Sequence, residues 1–211
     1  KSMPTKLGRR PRVFCASMGD WLDLDAPLGE FVRLLDTIRS TPELDWLLLS
    51  KRIGNWRKRL LEALEWMAPM SSGYSSTIDW LQDWLDGDAP RNVWIGATVI
   101  DQAEADRDIP KLLQIPADVR FLSMEPLLGP VDLGLCDCDH GSIPAQHYAG
   151  GVTCPKCNGT GGRVLDWVIV GGESGPGARP MHPQWARDIR DQCEAAGVPF
   201  RRALLDAVED G

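Results

Sequence analysis

The residues of this chain with the clearest chemical potential lie in a glycine-rich segment that follows an apolar run. Residues 167–170 (Trp-Val-Ile-Val) have the length of a buried strand, and Gly171, Gly172, Glu173 and Ser174 follow it directly. Glycine lets a ligand approach the backbone closely, and a carboxylate can bind an amine. The segment therefore predicts a polar ligand site at the end of a buried strand.

Polar side chains also follow four other apolar runs along the chain. If these runs are parallel strands, their carboxyl ends meet at one edge of a sheet, where α/β folds bind ligands. The residues predicted to bind a ligand at this edge are Ser17, Asp20, Lys51, Arg52, Thr98, Glu125, Gly171, Gly172, Glu173, Ser174 and Arg179. Glu125 and Glu173 would bind an amine, whereas Lys51 and Arg52 would bind a carboxylate. The set suits a small polar ligand that carries both charges.

Other interpretations stay open for the same residues. Polar side chains occur at strand ends in any α/β domain, so each residue taken alone can be structural. The amides of residues 171–175 could hold a phosphate instead, although Glu173 would repel an anion. His182 precedes a predicted helix start and is interpreted as a cap or a surface residue, and Arg179 as the partner of a carboxylate or of an anionic ligand.

A second candidate site is a cysteine-rich segment over residues 135–163, which lacks any periodic apolar pattern. Its predicted zinc ligands are Cys136, Cys138, Cys154 and Cys157. A two-residue spacing between thiolates, followed by glycines, is typical of zinc ribbons, and a metal would supply folding energy that packing cannot. Cys136 and Cys138 are one residue closer than is usual, so His140 or His147 could replace a thiolate. Four incidental thiols are the alternative.

The elements that must position these residues alternate between strand and helix. Strand-length apolar runs cover residues 13–17, 46–50, 93–98, 120–124 and 167–170, with helical stripes between them. This alternation predicts an α/β fold with parallel strands, either an open sheet or a partial (β/α) barrel. Residues 71–90 interrupt the pattern with a short extra helix near residues 78–85. We expect one domain over residues 1–211, with the zinc-ribbon-like insertion inside it.

Composition narrows the class of protein. The chain has 211 residues, 43% of them hydrophobic, and a net charge of −7, which disfavours non-specific nucleic-acid binding. It has neither a secretory signal nor a long apolar span, so we expect a cytoplasmic protein with no membrane association. Reduced thiols are expected there, and Cys15 and Cys193 are interpreted as buried free cysteines.

Three segments carry a resemblance to a known family. Residues 92–96 (NVWIG), 120–130 (RFLSMEPLLGP) and 166–183 (DWVIVGGESGPGARPMHP) resemble an uncharacterised phage and prophage family whose members are described as radical-SAM-like barrels. The resemblance covers about residues 12–200, apart from residues 71–90 and the insertion. It implies a partial (β/α) barrel that uses S-adenosylmethionine and an iron–sulfur cluster.

The chain also departs from the pattern of this family. Family members carry a cluster-binding cysteine motif before the segment that matches Val13, so the cofactor and the cluster are expected only in a full-length form. In radical-SAM enzymes a Gly-Gly-Glu motif contacts the methionine amine of the cofactor after an early strand, whereas Gly171, Gly172 and Glu173 follow a late one. Residues 201–211 replace an expected strand and are interpreted as a short helix or tail.

Two functions follow from these observations, and enzymatic activity is left open between them. The first is the larger part of a radical-SAM-like enzyme barrel of phage type, which binds a small polar ligand at the strand ends and has an unknown substrate. The alternative is a non-catalytic degenerate barrel whose zinc-stapled insertion contacts a protein or a nucleic acid.

Overall fold

The computed structural model describes residues 10–15, 19–135 and 165–203, together with the backbone of two short strands at 142–143 and 152–153. The strands are β1 (Arg12–Cys15), β2 (Asp45–Ser50), β3 (Val93–Thr98), β4 (Val119–Met124), β5 (Ser142–Ile143), β6 (Val152–Thr153), β7 (Trp167–Val170) and β8 (Phe200–Arg202). The α-helices are α1 (Leu28–Ser40), α2 (Trp56–Met67), α3 (Ser71–Asp86), α4 (Gln102–Leu113) and α5 (Pro183–Ala195). The 3₁₀ turns Ile53–Asn55 and Ala68–Met70 precede α2 and α3.

Six strands form one parallel sheet in the order β1-β2-β3-β4-β7-β8, and β5 pairs with β6 in an antiparallel ladder. The predicted α/β class with parallel strands is confirmed, and each of the five predicted strands is present with small differences at its ends. The predicted zinc-ribbon-like insertion lies outside the described residues, except for Leu135 and the backbone of β5 and β6. Within the described ranges, no helix combines the length and the apolar character needed to cross a bilayer.

Strand β8 was not predicted from the sequence, which indicated a helix or tail from residue 201 onward. The strand is only three residues long and pairs with β7, with Val168 opposite Phe200 and Val170 opposite Arg202. Two of its three residues are exposed arginines, so it shows no apolar alternation of its own. Its extended conformation is specified by the neighbouring strand rather than by local sequence.

The chain divides into two compact units. Unit 1 comprises residues 1–97 and 111–119, and unit 2 comprises residues 98–110 and 120–211. The expectation of one domain over the whole chain stays a prediction.

Unit 1 contains β1, β2 and most of β3, and its three helices α1, α2 and α3 contact one another. Helix α1 buries Phe31, Leu35 and Ile38, whose spacing places them on one helical face. Leu48 of β2 and Leu60 of α2 are fully buried in the same unit. The core of this unit therefore follows from the helical and strand periodicities of the sequence.

Helix α3 is longer than the sequence predicts. The sequence indicated a short helix near residues 78–85, because serine and glycine at the start of this segment are weak helix formers. In the first part of the helix, which was not predicted, the ring of Tyr74 packs edge-on against Trp66 of α2 with 6.0 Å between the ring centroids. Farther along, the Thr77 hydroxyl donates to Asp36 at 2.6 Å, and Trp84 Nε1 donates to the carbonyl of Pro116 at 2.8 Å. Packing within unit 1 thus overrides local propensity.

Unit 2 contains β4, β7, β8 and α5. Helix α5 begins at Pro183, and His182 Nδ1 accepts a hydrogen bond of 3.1 Å from the backbone N–H of Gln184. The predicted helix start and the capping interpretation of His182 are both confirmed. Ile189 and Cys193 lie on the buried face of α5, so this helix packs in the way that its apolar stripe predicts.

Candidate functional site

In unit 1, the predicted site residues gather around the carboxylate of Asp20. The Ser50 hydroxyl donates to Oδ1 at 2.7 Å, and the backbone N–H of Lys51 donates to Oδ2 at 2.9 Å. The N–H of Leu22 also donates to Oδ1 at 3.0 Å, and the Arg52 guanidinium lies 3.4 Å from Oδ2. The side chain of Asp20 is only 7% exposed. Asp20 therefore fastens the loop after β1 to the end of β2, and its oxygens are committed to protein donors.

The two predicted cations of unit 1 are placed differently. The Arg52 guanidinium lies 3.4 Å from both Asp20 and Asp23, so two carboxylates already balance its charge. The side chain of Lys51 is exposed and has no ion-pair partner among the described residues. Ser17 lies outside the described residues. In this unit, Lys51 is the predicted cation with an uncommitted charge.

In unit 2, Glu125 follows β4 and holds a half-buried carboxylate. Its Oε2 accepts a hydrogen bond of 3.2 Å from the hydroxyl of Ser123, which is itself buried at the end of the strand. No cation pairs with Glu125 among the residues that the structure describes. A carboxylate that is partly removed from water and lacks a countercharge favours a bound cation.

Gly171 forms the surface against which Glu125 packs. A Cβ at position 171 would lie 2.6 Å from Oε1 of Glu125, 3.1 Å from its Cγ and 3.1 Å from the Cβ of Ala203. The backbone of Gly171 is fixed on both sides, because its N–H donates to Met124 and its carbonyl accepts from Leu127. A side chain at position 171 would therefore displace the carboxylate of Glu125, which lies against an ordered backbone.

Glu173 is neutralised by Arg179 within the same loop. Arg179 donates through Nε to Oε2 and through Nη2 to Oε1, each at 2.8 Å, and its backbone N–H also donates to Oε2 at 2.8 Å. Hydrogen bonds from Arg179 lower the pKa of Glu173 to about 2, and those from its side chain contribute more than the one from its backbone N–H. The predicted pairing of Arg179 with a carboxylate is therefore present. The negative charge of Glu173 is therefore balanced by the positive charge of Arg179.

The remaining predicted residues differ in accessibility. Thr98 is buried at the end of β3, Gly172 is half-buried, and Ser174 is exposed.

Ser123 was not predicted from the sequence, although it belongs to the same site because its hydroxyl contacts Glu125. The only signal available was a hydroxyl two residues before a carboxylate at a strand end, which is too common to distinguish a site.

The predicted zinc ligands Cys136, Cys138, Cys154 and Cys157, and the alternatives His140 and His147, lie outside the described residues. Within the described ranges, no group of three or more His, Cys, Asp or Glu side chains could hold a metal ion. Cys15 and Cys193 form no disulfide; Cys193 is buried as predicted, and Cys15 is half-buried. Burial raises the pKa of the Cys193 thiol to about 11, so this side chain is not a thiolate near neutral pH.

Comparison with known proteins gives a family. Residues 2–202 match the model of a family described as a protein of unknown function, DUF5131. The chain belongs to this family. No curated protein and no solved structure matches the chain.

The match includes both clusters that the structure describes at the strand ends. The Asp20 cluster of unit 1 and the Glu125, Gly171 and Glu173 segment of unit 2 both lie within residues 2–202. The DUF5131 description names no activity, so the chemistry of the site must be argued from its side chains.

Proposed function

We propose that this protein binds a small ligand carrying an ammonium group, and that Glu125 receives this group in unit 2. The observation that carries the proposal is the half-buried carboxylate of Glu125, whose only hydrogen-bond or ion-pair partner among the described residues is the Ser123 hydroxyl. An ammonium group would satisfy the charge and the free oxygen of Glu125 together. Charge-assisted hydrogen bonds of this kind are about twice as strong as neutral ones.

Local charge favours a cation over an anion at this site. Glu173 and Arg179 neutralise each other, which leaves Glu125 as a carboxylate without an ion-pair partner among the described residues, while Arg202 at the end of β8 is an exposed cation of the same unit. Because Arg179 is paired with Glu173, its guanidinium is not available to an anion beside Glu125. An amine is therefore a better partner than a phosphate or a carboxylate.

The backbone around Glu125 supports binding with little reorganisation. The carboxylate lies where a Cβ of residue 171 would meet it, and the peptide groups of Gly171 are hydrogen-bonded to Met124 and Leu127. A binding group that is already fixed loses less conformational entropy when the ligand arrives. This arrangement is more typical of a preorganised binding site than of an acidic residue that happens to lie at the surface.

We propose S-adenosylmethionine as the ligand, since its methionyl group carries an ammonium and the sequence resembles radical-SAM-like proteins. An iron–sulfur cluster requires several thiolates, and the described cysteines do not supply them. The proposal therefore concerns recognition of the ligand by Glu125, and no reaction step is assigned to a cluster.

Isothermal titration with S-adenosylmethionine tests this function. We expect binding by the wild-type protein and binding weakened roughly tenfold to a hundredfold by Glu125→Gln, because a hydrogen bond to a charged group contributes about 1.5–3 kcal/mol. Glu194→Gln is the matched control, because Glu194 is an exposed acid on α5. Methylthioadenosine, which lacks the amine, should bind more weakly. Equal affinity of this compound, or unchanged binding by Glu125→Gln, would refute the assignment.

The cysteine-rich insertion supports a second, structural role. We propose that Cys136, Cys138, Cys154 and Cys157 bind zinc, with His140 or His147 as the alternative ligand for one position. The antiparallel pairing of β5 with β6 sets Ser142 opposite Thr153, and Cys154 directly follows Thr153 in the sequence. In the sequence this antiparallel pair lies between the two pairs of predicted ligands, and paired thiolates at short spacing are typical of structural zinc sites. A stapled insertion of this kind could contact a protein or nucleic-acid partner.

A further inference from the structure

A cleft in unit 1 is formed by residues that the proposed function does not use. It has a volume of about 380 Å³ and lies between the start of α2 and the last turn of α4 with the residues that follow it. This volume falls in the range of small-molecule sites, roughly 300–1,000 Å³. The cleft is therefore large enough for a compact ligand.

The walls of the cleft are divided between apolar and cationic groups. Ile53, Ile115 and Trp56 provide the apolar part, and all three are at least nine-tenths buried. Arg57 and Lys111 bring two positive charges, and the polar lining contains no carboxylate among the described residues. Both charged residues of this lining are cations, although the chain as a whole has a net charge of −7.

Arg57 differs from the two cations that follow it in the sequence. Lys58 lies 3.8 Å and Arg59 3.2 Å from carboxylate oxygens of Glu62 on the same helix. Arg57 lines the cleft instead and has no ion-pair partner among the described residues. Of the three consecutive cations on α2, Lys58 and Arg59 therefore pair with Glu62 of the same helix, and Arg57 faces the cleft.

The other cation and a tryptophan complete the chemistry of the cleft. A Cβ added at Gly54 would lie 3.1 Å from Cδ and 3.7 Å from Nζ of Lys111, so the lysine stem passes directly over this glycine. The amide of Gln114 lines the same cleft and can donate to an oxygen. Trp56 is 6% exposed, and its Nε1 has no hydrogen-bond partner among the described residues.

We propose that this cleft binds a phosphate monoester whose organic part is flat and apolar. A phosphate monoester carries close to two negative charges at neutral pH, which Arg57 and Lys111 would balance, with the arginine binding two oxygens at once. The side chains of Ile53, Ile115 and Trp56 would then cover the apolar part. This site does not depend on Glu125 and stands if the function proposed above fails.

Phenyl phosphate is a suitable probe, because it joins a phosphate to an aromatic ring. In isothermal titration we expect it to bind the wild-type chain, and Arg57→Gln and Lys111→Gln each to weaken it about tenfold or more. Inorganic phosphate and phenol, which each carry half of the probe, should bind at least tenfold more weakly. Lys58→Gln is the matched control, since it removes a cation from the same helix without altering the cleft.

Thermal unfolding followed by circular dichroism confirms that each variant is folded before it is titrated. Phenyl phosphate that fails to bind the folded wild-type chain would overturn the proposal. It would also be overturned if Lys58→Gln weakened binding as much as Arg57→Gln did, because the effect would then reflect net charge. Phenol or inorganic phosphate binding as tightly as phenyl phosphate would contradict the combined recognition of both groups.

Discussion

The carboxylate of Glu125 occupies the space that any side chain at position 171 would need, since its Oε1 lies 2.6 Å from the position of a Cβ on Gly171. Real Cβ atoms do not approach an oxygen this closely, so the two residues constrain each other. Gly171 gives Glu125 a backbone surface to lie against, and any side chain at position 171 would have to displace the carboxylate. The sequence shows both residues, but their contact joins the end of β4 to the end of β7.

Gly171→Ala should move the carboxylate of Glu125 and destabilise unit 2. The carboxylate can rotate away, but the added methyl group also lies 3.1 Å from the Cγ of Glu125 and 3.1 Å from the Cβ of Ala203, so both neighbours must shift as well. Overpacking of this kind costs about 1–3 kcal/mol in the free energy of unfolding. Urea unfolding of the wild type and of Gly171→Ala measures the difference in the free energy of unfolding.

Gly129→Ala provides the control for that substitution, because a Cβ at Gly129 would meet nothing within 4 Å. It should leave the free energy of unfolding within about 0.5 kcal/mol of the wild-type value. A stability of Gly171→Ala equal to that of Gly129→Ala would contradict the close packing of Glu125.

Asp20→Ala should destabilise unit 1 by about 2–4 kcal/mol. The substitution leaves the Ser50 hydroxyl and the N–H groups of Leu22 and Lys51 without their acceptor, in a position that is only 7% exposed. Chemical unfolding measures the loss. Asp25→Ala, at an exposed site in the same loop, should have little effect, and similar losses from the two variants would argue against the network around Asp20.

Glu173 and Arg179 predict a specific pH dependence. The pKa of Glu173 is about 2 because Arg179 donates three hydrogen bonds to its carboxylate. A depressed pKa in the folded state contributes stability above the ordinary value near 4.5, and this contribution is lost as the pH falls toward 2. Carbon-detected NMR titration of the Glu173 carboxyl group should give the lowered value.

Arg179→Gln removes two of these hydrogen bonds and the positive charge, so the pKa of Glu173 should rise toward its ordinary value. Arg187→Gln, an exposed arginine on α5, should leave it unchanged. A Glu173 carboxyl that titrates identically in the wild type and in Arg179→Gln would show that the ion pair does not form in solution.

Zinc should accompany the purified chain at about one ion per molecule if the cysteine-rich insertion is a structural site. Cys154→Ser and Cys157→Ser should each lower the zinc content measured by inductively coupled plasma mass spectrometry, whereas Cys15→Ser should retain it. Comparing His140→Ala with His147→Ala identifies which histidine, if either, serves as a ligand. Full zinc content in both cysteine variants would refute the proposed ligand set.

The sequence by itself determined the α/β class of this protein and most of its strands. Apolar runs of strand length alternate with helical stripes, and this periodicity is local, so it predicted β2, β3, β4 and β7 with only small errors at their ends. The start of α5 at Pro183 and the cap at His182 were also readable, because capping depends on residues next to each other in the chain.

Tertiary structure alone decided what the polar residues at the strand ends do. Asp20 and Glu125 looked equivalent in the sequence, yet Asp20 is saturated by donors from the end of β2, whereas Glu125 packs on Gly171 and keeps an oxygen available. The lengths of α3 and β8 were likewise set by distant partners. The end of a strand determines the position of a residue's backbone. The hydrogen-bond partners of its side chain come from segments far away in the sequence, so the local sequence pattern does not predict them.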